Sequence, residues 1–358
     1  MPPMSRRRWL GLTAVGGVAT ALALRPAEVG APHDAFFNRL SKALRQAGLH
    51  QPTLVIDRER LHANARQVKT NLAAGLALRL VNKSLPSLDL LDEVARLTGT
   101  TRQMVFNLPY LQLLAEQRPD SDVLLGKPFP VGAAAQLLAR PPRSAFQVPR
   151  QVQWLVDSPA RLAQYRDLAR GQGVPLRINL EIDVGLHRGG LPDEASLQQM
   201  IALLREEPLL RWSGLMGYDA HTQRIPDVAG SRAESHAHVL RVYAERLSAL
   251  RTAALPGAEG ALTLNTGGSP TYRLHRADGA ANEVAVGSAL VKPSDFDSAL
   301  LADLQPAAWI ATPVLKVQGF RAPQGVEPVG QLAQGWDRNQ RVAHFIHGGA
   351  WLAKPSRV

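Results

Sequence analysis

The sequence predicts a (β/α)8 barrel followed by the start of a β-rich C-terminal domain. Three observations carry this. Eight apolar runs of strand length, at 76–82, 103–106, 122–126, 152–156, 176–182, 212–217, 261–265 and 283–291, alternate with helical patterns such as 159–170, 193–206 and 232–254. The runs are near-continuously apolar, as in a parallel sheet covered on both faces. After about Pro306 the alternation stops, and strand-like runs at 308–317 and 341–346 follow with no long helix read between them. An open doubly wound sheet is the competing architecture. Its dinucleotide-binding form is disfavoured because no G-x-G-x-x-G follows the first strand.

The chain opens with Ser5-Arg6-Arg7-Arg8-Trp9-Leu10 and a mildly apolar run from Gly11 to Leu24. The run is too short and weak for a membrane span and reads as the h-region of an export signal. The arginine pair resembles a twin-arginine signal over residues 1–31, with small residues for cleavage near Ala21-Leu22-Ala23 or Val29-Gly30-Ala31. That route exports folded proteins, so a periplasmic location is expected. A helix or linker is expected over 32–51, with Asp34 to Gly48 helical, the barrel over 52–306 and a partial β domain over 307–358. The early strand 53–56 is expected to join the C-terminal domain. Asp57 is a suitable N-cap, and Leu61, Ala65, Val68 and Leu72 form the apolar stripe of the helix it starts.

At 358 residues, 45% hydrophobic and 20% charged, the chain is globular. The formal charge of +11 is scattered, without a basic run interleaved with aromatics, so nucleic acid is not expected as a partner. Arg140, Arg143 and Arg150 fall in a Pro-rich stretch and read as a solvated loop. The absence of cysteine excludes disulfides, thiolate metal sites and thiol catalysis.

Lysine is scarce: 7 lysines stand against 34 arginines. Lys83 closes the apolar run Leu78-Arg79-Leu80-Val81-Asn82, where a barrel keeps its chemistry. A primary amine can lose its proton and form a Schiff base, which a guanidinium cannot. The other unusual segments fall at later strand ends: Glu181-Ile182-Asp183-Val184-Gly185-Leu186-His187-Arg188, then Tyr218-Asp219-Ala220-His221, then Asn265-Thr266-Gly267-Gly268-Ser269-Pro270-Thr271-Tyr272. In the last, glycines admit close approach of an anion to backbone N–H groups and hydroxyls donate to it, which suits a phosphate. A tight Gly-Gly turn would explain the same residues structurally.

These segments together resemble the fold-type III pyridoxal-phosphate enzymes, in the D-threonine aldolase and D-serine dehydratase branch beside alanine racemase. Residues 52–57 resemble the family's N-terminal strand, and Arg79 with Lys83 its first-strand motif. Asp183-Val184-Gly185 with Arg188 and Gly190 resembles its D-x-G-x-x-R-x-G element. Gly214-Leu215 with Tyr218 and His221 follows, then Gly267-Gly268-Ser269 with Thr271-Tyr272, then Glu283, Gly287 and Ser288. The resemblance spans about residues 50 to 350 and implies that Lys83 carries pyridoxal 5'-phosphate. It implies cofactor contacts from Arg188, Tyr218, Gly267, Gly268, Ser269 and Thr271, with Lys83, His221 or Tyr218 moving protons.

Two departures stand out. The family's Pro-His before the lysine is Leu80-Val81 here. The late metal segment of the aldolases and dehydratases is not recognised; His347-Gly348-Gly349-Ala350-Trp351 resembles the element just upstream of it. Either this member works without the metal or the sequence is truncated, so no metal ligand is assigned. His236 and His238 do not share a helix face and make a poor metal pair.

The resemblance implies an exported lyase, aldolase or ammonia-lyase, acting on a small D-amino acid, with no stable membrane span after processing. An alanine-like racemase is the alternative; it needs acid–base groups on both faces of the cofactor, the second usually from a partner's C-terminal domain, which leaves a homodimer open. A non-catalytic pyridoxal-phosphate-binding protein is the reading from another class. A solute-binding protein leaves Lys83 unexplained.

Overall fold

The computed structural model describes residues 24–26 and 34–348. The export signal, apart from residues 24–26, and Gly349-Ala350-Trp351 therefore lie outside the described residues. The chain divides into two units, one comprising Ile56–Ala308 and the other the segments before and after it.

The larger unit is a closed barrel of eight parallel strands: β2 (Ala77–Val81), β3 (Arg102–Val105), β4 (Asp122–Leu125), β5 (Val152–Val156), β6 (Leu176–Ile182), β7 (Leu210–Gly217), β8 (Thr263–Thr266) and β9 (Glu283–Val286). Closure is made by β2 against β9, with Ala77 opposite Glu283 and Leu80 opposite Val286. Helices α2 (Arg58–Asn71), α3 (Leu88–Thr98), α4 (Leu108–Gln117), α5 (Val131–Ala139), α6 (Val148–Gln151), α7 (Pro159–Gln172), α8 (Glu194–Glu206) and α9 (Ser231–Thr252) surround them in near-alternation, except that α5 and α6 both fall between β4 and β5 and only the one-turn helix Tyr272–Leu274 links β8 to β9. Short polar side chains start these helices. Asp57, Asn107 and Asp193 accept the N–H of Arg60, Tyr110 and Ser196 at 2.8–3.0 Å, satisfying amides the helix itself cannot. Leu61, Ala65 and Val68 on α2 are fully buried.

The strands are largely buried because helices cover the outside and side chains fill the inside. The outer layer is apolar: Trp154, Trp212, Leu180 and Leu215 have at most 1% of their surface exposed. Part of the interior is polar. Arg79 donates to Glu283 and Asp122, Gln153 donates to Thr263 Oγ1 at 2.8 Å, and Asn179 reaches Gln153 Oε1 at 3.2 Å. This network spans the barrel toward the N-terminal ends of its strands and stops short of the opposite, C-terminal rim.

Two segments differ from the sequence reading. The run 283–291 is not one strand: β9 ends at Val286 and α10 (Ser288–Val291) follows. The N–H groups of Gly287 and Ala289 go to the Ser269 hydroxyl at 3.2 and 2.9 Å, which takes them out of the ladder. The run 308–317 is likewise two strands, β10 (Ala308–Ala311) and β11 (Val314–Gly319). Pro313 between them has no N–H to donate, so pairing cannot run through.

In the smaller unit, α1 (Ala35–Gln46) precedes β1 (Thr53–Ile56), which pairs with β10. β11 pairs antiparallel with β12 (Val342–Ile346). A ten-residue helix, α11 (Glu327–Trp336), lies between β11 and β12, where the sequence was read as holding no long helix. Its sequence signal is Pro328 near the start and Val329, Leu332 and Trp336 at helical spacing. Among the described residues, no helix is long and apolar enough to cross a membrane.

Candidate active site

A cavity opens at the C-terminal rim of the barrel. Its wall includes Lys83, Arg188, Tyr218, Gly267, Gly268 and Ser269, which converge from four strand ends. Lys83 sits in a one-turn 3-10 helix, Asn82–Ser84, directly after β2. Thus a residue separated from Arg188 by more than a hundred positions shares its pocket.

The Lys83 amine lies 4.2 Å from the centroid of the Phe106 ring. Burial lowers its pKa below the ordinary lysine value, and the positive charges of Arg188 and Lys127 lower it further. All three causes favour the neutral amine, the nucleophilic form. Arg188 stacks over Tyr218 at 4.7 Å from the ring centroid. Burial pushes the Tyr218 phenol above its usual value, so it stays protonated and able to donate.

The loop after β8 presents backbone to this space. Gly267 has φ +68°, a conformation that favours glycine. A Cβ on Gly268 would stand 2.6 Å from the Tyr218 ring, so only glycine lets the loop lie against that ring. Ser269 Oγ accepts from Gly287 and Ala289, which leaves its own hydroxyl hydrogen to donate. Gly287 is equally confined, since its Cβ would meet Val81 at 2.7 Å and Ser84 Oγ at 2.8 Å.

Two residues named from the sequence are not on the cavity wall. His221 lies in the short turn Ala220–Gln223, where its Nε2 packs beside Gly185; a Cβ there would approach it to 3.1 Å. Its Nδ1 is buried without a partner, and burial lowers its pKa. Thr271 donates to Asp219 Oδ1 at 2.5 Å and accepts from Gly268 N–H at 3.1 Å. It braces the loop from outside the cavity. His187, at φ +53°, is exposed, with Nδ1 2.8 Å from Asp183 Oδ2.

Two wall residues, Phe106 and Met216, escaped the sequence reading. Each lies at or next to the end of a barrel strand, but neither interrupts the apolar pattern enough to be singled out. Asn265 opens a strand-end segment noted in the sequence but was given no role there. Asn265 donates to Glu283 Oε1 at 2.8 Å, linking the cavity to the polar network below it.

These residues bring an amine at one strand end to face a glycine-rich loop with a free serine hydroxyl at another. Residues 56–295 match the alanine racemase N-terminal domain, and the chain belongs to that family. The family's barrel binds pyridoxal phosphate. The residues present fit that group: an amine of lowered pKa for its aldehyde, and a glycine cradle with a donating serine for its phosphate. The chain is 31% identical to an alanine racemase of Levilactobacillus brevis over 185 residues, half of this chain and 47% of that relative. It therefore spans about half that protein's length. Its fold is similar to D-threo-3-hydroxyaspartate dehydratase from Delftia sp. HT23, at 21% identity and a TM-score of 0.62, covering 76% of this chain and 69% of that one. It is also similar to D-threonine aldolase from Filomicrobium marinum, at 20% identity and a TM-score of 0.59, covering 74% and 69%.

Proposed function

We propose that this protein is an exported pyridoxal-phosphate-dependent lyase, of aldolase or ammonia-lyase type, acting on a small D-amino acid. The carrying observation is the Lys83 amine, its pKa lowered by burial and by the charges of Arg188 and Lys127, in the cavity that the Gly267–Ser269 loop closes. The fold shared with a D-hydroxyaspartate dehydratase and a D-threonine aldolase supports the substrate class.

When bound, pyridoxal phosphate supplies a reactive aldehyde and a pyridine ring that accepts electron density from the substrate's Cα. Lys83 supplies the amine that holds it, and after displacement by the substrate's own amine it is a base at the same place. Tyr218, protonated and pinned by Arg188, can donate a proton to a departing oxygen. The Arg188 guanidinium on the wall attracts the phosphate or the substrate carboxylate. One amine base and one protonated phenol suit a proton taken from one face and a group lost from Cβ.

The racemase reading is favoured by the relative in Levilactobacillus brevis. A panel of D- and L-amino acids separates the readings. A lyase yields ammonia and a keto acid, or glycine and an aldehyde, from D-hydroxyamino acids. A racemase yields only the other enantiomer. Cofactor binding without turnover would leave a non-catalytic binding protein. Export is tested by replacing Arg6 and Arg7 with lysine, which should hold the protein in the cytoplasm; an unchanged periplasmic yield refutes it.

A further inference from the structure

Just outside the cavity, three metal-ligating side chains from distant parts of the chain meet. Asp219 follows β7, His236 lies in the second turn of α9, and His275 follows the one-turn helix Tyr272–Leu274 after β8. One ligand atom from each lies within 4.8 Å of the other two. Asp219 Oδ2 and His275 Nε2 are 2.9 Å apart, and the His236 and His275 rings stand edge to face at 5.3 Å between centroids. Asp219 is fully buried and His275 is 3% exposed. His236 is half-buried, which leaves a way in from solvent.

The Asp219–His275 pair alone would be explained as a tether for the loop. His236 is not explained that way. Its Nδ1 is buried with no hydrogen-bond partner, and its ring stands against that of His275. A bare nitrogen on this imidazole, beside a second imidazole and a carboxylate, suits a metal ligand set.

We propose that Asp219, His236 and His275 bind a divalent transition-metal ion of the zinc type. Two imidazole nitrogens and one carboxylate oxygen make a three-ligand set with room for a water, a donor combination zinc favours. This place is on the barrel, apart from the late segment where the family resemblance put a metal. Its consequence concerns the loop. Asp219 Oδ1 accepts the Thr271 hydroxyl, Thr271 Oγ1 accepts the Gly268 N–H, and a Cβ on Gly267 would reach 3.0 Å from the His275 ring. An ion here ties α9 to the back of the glycine loop, so it slows loss of whatever the loop holds. The binding claim is independent of the function proposed above; the effect on cofactor retention rests on it.

The test uses the full chain purified without a polyhistidine tag, stripped with chelator and titrated with Zn2+ alone. Expected are one zinc per chain by elemental analysis, sub-micromolar affinity by calorimetry, and an X-ray absorption edge with two imidazole scatterers. His236→Gln, at a half-buried position, should fold and lose about tenfold or more in affinity. His275→Gln serves as the second variant, with circular dichroism verifying its fold. No stoichiometric zinc in the wild type, or equal affinity in a folded His236→Gln protein, overturns the site and leaves a hydrogen-bonded tether. Zinc bound as expected, but with the same pyridoxal-phosphate dissociation rate loaded and stripped, overturns the coupling to the loop. Failure to bind pyridoxal phosphate at all, with zinc binding intact, refutes the functional reading instead.

Discussion

Arg79 and Glu283 form a fully buried two-point ion pair across the seam that closes the barrel, with Nε to Oε1 at 2.6 Å and the second nitrogen to Oε2 at 3.0 Å. Arg79 also donates to the carbonyls of Gln103 and Asp122 and to the Asp122 carboxylate, so its donors are used across three strands besides its own. Burial alone would lower its pKa, but Glu283 and then Asp122 outweigh that and raise it. The same glutamate accepts from Asn265 in the cavity wall and from Arg102.

Breaking this pair should be costly. Arg79→Met leaves Glu283 buried with Asn265 and Arg102 but without its main counter-ion, a loss on the order of 3–5 kcal/mol. Urea denaturation should show it. A double change, Arg79→Met with Glu283→Leu, should recover part of the loss. A stable Arg79→Met protein would mean that the pair contributes little to barrel closure.

Lys83 should be the residue that carries the cofactor. Borohydride reduction followed by peptide mapping should place the pyridoxyl group on Lys83, and Lys83→Ala should lack the visible absorption band and turnover. Lys292 is a poor competitor because its amine is tied to the Leu304 carbonyl at 2.9 Å. A label on Lys127 or Lys292 would relocate the site.

Gly268→Val should weaken pyridoxal-phosphate binding strongly. Even its Cβ would collide with the Tyr218 ring at 2.6 Å, so the loop or the Arg188–Tyr218 stack has to move. Equilibrium dialysis measures the affinity, and a wild-type value would put the phosphate elsewhere.

The pH dependence of Lys83 follows from its surroundings. Its pKa is lowered, so the free amine appears at lower pH than in an ordinary lysine, and the rate of cofactor capture should rise with pH to a plateau reached early. Arg188→Gln removes one of the charges that lower it, moving the rise to higher pH. Stopped-flow absorbance across pH checks this. An unmoved profile would mean that burial and Lys127 set the shift without Arg188.

Glu181 offers a stability test. Burial, with Asp157 nearby, raises its pKa to about 7. The unfolded chain therefore releases this proton first as pH rises. Stability from this group is undiminished below its unfolded pKa of about 4.3 and falls progressively until pH passes about 7. The total is on the order of 3 kcal/mol. Glu181→Gln should flatten that part of the curve and gain stability at pH 8. Thermal melts between pH 4 and 8 decide it.

The barrel was legible in the sequence because its strands are buried on both faces, so composition alone marks them, and short polar caps such as Asp57 and Asp193 mark where helices begin. Lys83, Arg188, Tyr218 and the Gly267–Ser269 turn were legible because each breaks an apolar run at its end, where a barrel rim must lie. What the pattern could not carry was which polar side chains face one another. The partners of Arg79 are Glu283 and Asp122, remote in sequence and adjacent only after closure. His221 and Thr271 share strand ends with cavity residues yet stand off its wall, because one packs beside Gly185 and the other is held by Asp219. The meeting of Asp219, His236 and His275 was hidden for the same reason: spacing along one helix reports only that helix's own faces. Local periodicity records burial, and burial determined the fold; distances between side chains on different strands arise only when the sheet closes, and those distances decided the site.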